Sequence, residues 1–296
     1  MAPLTLTDAL TAWRFAPAVS AALTLLAAAY LTAACLVSRR PPGRPWPTGR
    51  TLAFLLGLFA VAAATQGGAA VYDDVLFSAH MVQHLLLIMV APPLLILGRP
   101  ATLLLRVSGH PVRGRVMRIL RSRLVSGLTW PPAAATLYAA VVIGTHLTPL
   151  MNLVLEYPAA HEAEHALYLA AGYLYFLSVI GSEPIPWRLT PFGRFLLVLA
   201  TMPADTLVGV VLLLASHELF PAYAREGRGP GPALVADLHQ GGLIMLAGSD
   251  LVMTVIGVAL AASLVRARDG SRAGRPGDLE AYNTYLAGLG NQNARD

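Results

Sequence analysis

The sequence has no lysine, a single cysteine and only 12% charged residues in a chain of 296. Each shortage excludes something. With Cys35 alone the chain forms no internal disulfide and no thiolate cluster, so any metal site must draw on other ligands. With 56% hydrophobic residues and a mean hydropathy of +0.60, it has too little polar surface for a soluble globule of this size, and membrane lipid must be its main solvent. The formal net charge of +5 comes from arginine alone. Those arginines lie in short loops between apolar runs, where they orient a chain in a bilayer, so the charge points to no nucleic-acid partner. Thr32-Ala33-Ala34-Cys35 faintly resembles a lipoprotein cleavage site, but the positive charges follow the apolar run instead of preceding it, so the first helix is expected to be retained.

A spanning helix needs about 20 mostly apolar residues. Runs of that length predict seven helices, over 15–37, 51–71, 76–98, 124–147, 159–181, 192–216 and 238–265. The fold class is therefore all-α, a polytopic membrane helix bundle. The loop from Arg39 to Arg50, and the one holding Arg99, Arg106, Arg113, Arg115, Arg118, Arg121 and Arg123, belong in the cytoplasm. The loops 66–74 and 148–160 carry acids and no base, and belong outside. Arg188 and Arg194, and later Arg266, Arg268, Arg272 and Arg275, continue the alternation. In the last outer loop Arg225 and Arg228 are offset by Glu218, Glu226 and Asp237. The N-terminus is thus expected outside and the C-terminus inside. The chain divides into a transmembrane domain, 1–268, and a polar cytoplasmic tail, 269–296, in which 279–286 could form a short surface helix. Pro92-Pro93 and Pro203 should kink their helices.

In this orientation seven of the eight histidines fall at the outer ends of helices, and only His110 is cytoplasmic. His80 and His84 lie in the outer turns of the third helix, and His161 and His165 open the fifth. Residues four apart return to nearly the same face about 6 Å along the axis, so each pair is a bidentate imidazole clamp of the kind that helical metal sites use. His146 ends the fourth helix, His217 ends the sixth and His239 opens the seventh. For any one of these the plain role is an interhelical hydrogen bond; as a group they mark a metal site, because ionisable side chains are costly in a membrane.

Imidazole suits zinc, copper, iron and nickel alike. Met81, three residues before His84, would tilt the preference towards Cu(I), whereas Met89, Met245 and Met253 read as packing. Glu162, Glu164, Glu218 and Asp237 are placed to accept the second ring N–H of a ligating histidine. Asp205 and Asp250 both fall near mid-membrane, where they could share a proton, a water or an ion.

A competing motif overlaps the second clamp. His161-Glu162-Ala163-Glu164-His165 fits the H-E-x-x-H pattern of zinc metallohydrolases, with Glu162 as catalytic general base. Such an enzyme needs a third ligand but has no use for a second clamp at the same depth. A bis-histidine haem would need two histidines facing across the bundle, and nothing in the sequence marks such a pair.

His80-Met81-Val82-Gln83-His84-Leu85-Leu86-Leu87 running into Ala91-Pro92-Pro93-Leu94-Leu95, followed by His161 to His165 at the start of the fifth helix, resembles the CtaG family of bacterial cytochrome c oxidase assembly factors. Gly98-Arg99-Pro100, Asp237 to Gly242 and Tyr282-Asn283-Thr284-Tyr285-Leu286 extend the resemblance over most of the chain. At His239 the chain departs from the family pattern, which carries glutamine more often there. The unrelated copper chaperone of the same name, with one helix and cysteine ligands, does not fit seven spans and a lone cysteine. The resemblance implies a bacterial inner-membrane chaperone that handles copper, with zinc as the alternative metal, and that partners cytochrome c oxidase subunits. The expected ligands are His80, His84, His161 and His165, with Met81, His146, His217 and His239 as further candidates.

Overall fold

The computed structural model describes residues 11–39, 45–220, 223 and 234–273, and among them every regular element is helical. The expected surface helix at 279–286 and most of the tail lie outside the described residues. α1 (Pro17–Arg39), about 35 Å long, presents Leu25, Leu26, Leu31 and Leu36 outward, as a lipid-facing helix does. α2 (Thr48–Gln66) and the short α3 (Gly68–Tyr72) follow it. The predicted third helix comprises α4 (Phe77–Leu85), a π-helical segment (Leu86–Val90) and α5 (Ala91–Leu97).

The π segment has a local cause. Pro92 and Pro93 have no N–H to give to the carbonyls of Ile88 and Met89, and the wider turn accommodates the break without ending the helix. It also lets α11 (Pro158–Ile180) come close at Gly172, where an added Cβ would lie 2.8 Å from Pro92 Cγ and collide with the Ile88 carbonyl.

The chain then turns at Arg99, the single non-glycine residue with positive φ (52°) among the described residues, into α6 (Pro100–Val107). Glu183 caps α6 by accepting the N–H groups of Ala101 and Thr102 at 2.9 and 3.0 Å. Tyr30 donates to the Gly98 carbonyl, Trp46 donates to Tyr30, and the Arg50 and Arg106 guanidiniums lie over the Trp46 ring. This latch closes the end of the bundle opposite the histidines. α7 (His110–Leu120), with no buried residue, and α8 (Arg123–Leu128) lead away from it.

The fourth span differs from the expected 124–147. α9 (Pro131–His146) starts late, because Pro131-Pro132 belongs in a first turn, and it breaks before Pro149. Its 16 residues cover about 24 Å, short of the roughly 30 Å hydrocarbon core. α10 (Leu150–Glu156) continues at a bend of 71°. Six other helices are long and apolar enough to cross a membrane, and the bent pair is the seventh candidate.

α12 (Pro191–Leu213) and α13 (Leu234–Ala273) lie against each other through small residues. Gly209 meets Leu246, and Gly242 meets Leu212 and Leu213. α13 runs past the expected 268/269 boundary.

Candidate metal centre

α4 presents His80 and His84 one turn apart, their ring centroids separated by 4.3 Å and both side chains fully buried. On α11, His161, Glu164, His165 and Tyr168 follow an i, i+3, i+4, i+7 pattern, which puts them on one face. The two helices meet there. His80 stacks on His161 at 5.0 Å, His161 lies 4.4 Å from His165, and His84 stacks on Tyr168 at 3.8 Å. The two clamps therefore come together as one cluster.

Two carboxylates complete it. Glu164 Oε2 lies 3.2 Å from His80 Nε2 and 3.3 Å from His84 Nε2. Asp73, in the turn after α3, places Oδ2 3.6 Å from His161 Nε2. Ligand atoms of Asp73, His161 and His165 lie within 4.8 Å of one another, as do those of His80, His161 and Glu164. Burial and the neighbouring Asp74 push the Asp73 carboxyl above its usual range, against the pull of the Gln83 amide, which donates to it at 2.9 Å.

Although these groups are close enough for charge attraction, they are misaligned for hydrogen bonds. Eight buried nitrogen and oxygen atoms of His80, His84, His161, Glu164 and His165 have no hydrogen-bond partner. Buried polar atoms are ordinarily paired, and an isolated orphan costs about 1–3 kcal/mol. Convergent imidazole nitrogens and carboxylate oxygens without hydrogen-bond partners are a donor set that a metal ion can satisfy.

At the inner edge, His146 ends α9 with Nε2 3.3 Å from His84 Nδ1 and 3.2 Å from Met81 Sδ, so both of these candidates join the cluster. His217 and His239 do not. His217 is exposed, beyond the end of α12, beside Ser216. His239 Nε2 lies 2.8 Å from the Ala215 carbonyl, just past the C-terminus of α12, a tie between α12 and α13. The expectation of seven histidines in one layer thus resolves into five in contact and two apart.

The acids also separate. Glu164 is buried among the histidines, whereas Glu162, about 100° around the helix from His161, is exposed. The general base of an H-E-x-x-H hydrolase would have to face the metal; here the glutamate on that face is Glu164. Glu218 lies beside Phe77, Phe220 and Tyr223. Asp237 serves the backbone, accepting the N–H groups of Phe77 and Ser78 at the start of α4. Deeper in the bundle, Tyr138 donates to Asp205 at 2.8 Å, and Asp250 lies on the adjacent α13.

Asp73 and Tyr168 were not among the residues singled out from the sequence. Tyr168 was within reach, being seven residues after His161. Asp73 sits in a turn where no periodicity applies.

Uncharacterized proteins of Mycobacterium bovis and Mycobacterium tuberculosis are each 34% identical over 304 residues, covering 97% of this chain and 46% of their own length. A further uncharacterized protein, of Mycobacterium leprae, is 30% identical over 296 residues, covering 94% of this chain and 45% of its own. The chain spans about half the length of these curated relatives. No solved structure matches it. The family described as cytochrome c oxidase caa3 assembly factor matches residues 28–267, a span that contains every residue of the buried cluster, and the chain belongs to that family.

Proposed function

We propose that this protein acts in cytochrome c oxidase assembly as a multi-pass chaperone of the bacterial cytoplasmic membrane, N-terminus out and C-terminus in, which receives copper at its histidine cluster and passes it to an oxidase subunit. The observation that carries this reading is the convergence of His80, His84, His161, His165 and Glu164 with eight unpartnered buried atoms between them. A fold without a metal to bind would have to offset that desolvation elsewhere. Family membership supports an oxidase as the partner, and the arginine pattern supports an orientation with the cluster on the outer side.

A chaperone must release what it binds. The mixture of imidazole, carboxylate and thioether favours exchange of ligands over a closed cage of four identical donors. His161 keeps 12% of its side-chain surface exposed, which gives an incoming ion a first contact.

The test is metal analysis of the purified full chain after loading with Cu(I) or Zn(II), for the native protein and for two double variants, His80→Ala/His84→Ala and His161→Ala/His165→Ala. Copper content should fall in both variants, and the copper content of the oxidase in cells carrying them should fall with it. Unchanged copper stoichiometry in both would sink the proposal, and retention of zinc alone by the native chain would replace copper with zinc.

A further inference from the structure

We infer that the inner edge of the cluster is a separate Cu(I) seat made by Met81, His84 and His146, chemically unlike the harder set of Asp73, His161 and His165 at its outer edge. This deepens the copper reading above and rests on it.

The protons of His146 carry the argument. Its Nδ1 lies 2.8 Å from the Val142 carbonyl, which can only accept, and 3.1 and 3.3 Å from the Thr145 and Tyr168 hydroxyls, which can accept as well as donate; the short carbonyl contact assigns the proton to Nδ1 and leaves the neutral ring a bare lone pair at Nε2. That lone pair faces Met81 Sδ at 3.2 Å. A thioether has no proton to give, so the contact sets one Lewis base against another whichever tautomer His84 adopts. His84 Nδ1 stands 3.3 Å from the same His146 Nε2. When His84 keeps its proton on Nε2, towards Glu164 Oε2 at 3.3 Å, its Nδ1 is bare as well. Two donors then face the bare His146 Nε2 with no proton among the three, at side chains that are 0%, 0% and 2% exposed.

A cation resolves this arrangement. Donors bound to one ion at about 2.0 Å for nitrogen and 2.3 Å for sulfur stand roughly 3.3–3.7 Å apart, close to the two spacings found here. The identity of the ion follows from softness. Two imidazoles and a thioether, with no carboxylate among them, select Cu(I). Asp73, His161 and His165 are a carboxylate and two imidazoles, a set that suits Zn(II) and other divalent ions. Glu164 and His80 stand between the two sets, since Glu164 Oε2 reaches both His80 and His84, and His80 stacks on His161.

A cleft also adjoins the inner seat. Where α9 breaks, a cleft is lined by His146, Thr148, Pro149, Asn152 and Phe220, none of them a neighbour of the partly exposed His161 in the chain. Asn152 Oδ1, buried and without a hydrogen-bond partner, lies on its wall. The seat takes up and releases copper as Cu(I), by ligand exchange without change of oxidation state.

The experiment uses the full chain, purified without oxygen and loaded with Cu(I) or with Zn(II), read by X-ray absorption at the metal edge and by competition titration. Native Cu(I) protein should show a sulfur neighbour at about 2.3 Å. Met81→Leu, which nearly conserves volume, should lose that sulfur and bind Cu(I) about tenfold more weakly, while its Zn(II) affinity stays within about twofold and reports an intact fold. Asp73→Asn should do the reverse, weakening Zn(II) about tenfold and leaving Cu(I) within about twofold. A Cu(I) shell of nitrogen and oxygen only, or an unchanged Cu(I) affinity in Met81→Leu, overturns the inner seat while leaving the copper reading intact. Native protein that binds no Cu(I) at all overturns both.

Discussion

The carboxylate of Asp237 on α13 accepts the backbone N–H of Phe77 at 2.8 Å, joining residues 160 positions apart at the first turn of α4. The same carboxylate takes the N–H of Ser78 at 3.2 Å and its hydroxyl at 2.5 Å. A negative group at a helix N-terminus satisfies donors that have no intrahelical partner. One turn later stands His80. Asp237→Ala should lower stability by about 1–2 kcal/mol, the range for loss of an N-cap, and should weaken copper binding by letting α4 shift. Thermal unfolding in detergent and a copper titration on the same sample check it; an unchanged melting temperature removes Asp237 from the support of the site.

This contact shows where the sequence stops being informative. The two clamps were legible because i, i+4 spacing is a local rule, and Asp237 was legible as an acid near the histidines. Its role was not, since whether a carboxylate meets an imidazole or a backbone N–H depends on how two distant helices dock. Asp73 was hidden for the same reason, since its contact with His161 joins the turn after α3 to α11, far apart in the chain. Helical phase alone does not separate Glu162 from Glu164, because each lies about 80° to one side of the His161/His165 pair; which of them meets α4 is decided by how α11 docks. The break in α9 was foreshadowed by Pro149, but its 71° angle belongs to packing.

Gly172 provides a test of how α11 is seated on the π segment. An added Cβ there would meet the Ile88 carbonyl and stand 2.8 Å from Pro92 Cγ, so Gly172→Ala should cost about 1–3 kcal/mol through overpacking. Gly144, in α9, has nothing within 4 Å of the same construction. Gly144→Ala should be neutral or stabilise by up to about 1 kcal/mol, through helix propensity. Comparing the two melting temperatures checks the contact, and equal shifts would refute it.

The two histidines outside the cluster make a negative prediction. His217→Ala should leave copper stoichiometry unchanged, because the ring is exposed and meets the adjacent Ser216 hydroxyl, away from the cluster. His239→Ala removes the contact with the Ala215 carbonyl and should lower stability by about 0.5–1.5 kcal/mol without loss of metal. Metal analysis of both variants decides this, and copper lost from either would enlarge the site.

The proposed orientation rests on the arginine pattern and is open to a direct experiment. Reporter fusions after Arg123 should give a cytoplasmic signal, and fusions after Ala160 an extracytoplasmic one, since arginine accumulates on the cytoplasmic side. The reverse pattern would place the histidine cluster in the cytoplasm and remove the geometric basis for delivering copper on the outer side.

Glu162 and Glu164 separate a metal carrier from a hydrolase most sharply. Both lie in the His161 to His165 segment, and both become glutamine with little change of shape. Glu162 is exposed and turned away from the clamps, so Glu162→Gln should leave copper binding and oxidase maturation at native levels. Glu164 is buried with one oxygen within 3.3 Å of both α4 histidines. Glu164→Gln removes a charged donor from the middle of the cluster and should weaken copper binding about 10- to 100-fold, the range for loss of a supporting carboxylate at a metal site. A hydrolase built on H-E-x-x-H would respond in the opposite order: Glu162→Gln would keep its metal and lose its function, because the general base and not the metal would be gone. Copper titration of both variants, together with the copper content of the oxidase in cells that carry them, distinguishes the two; loss of oxidase maturation in Glu162→Gln alone would overturn the carrier reading.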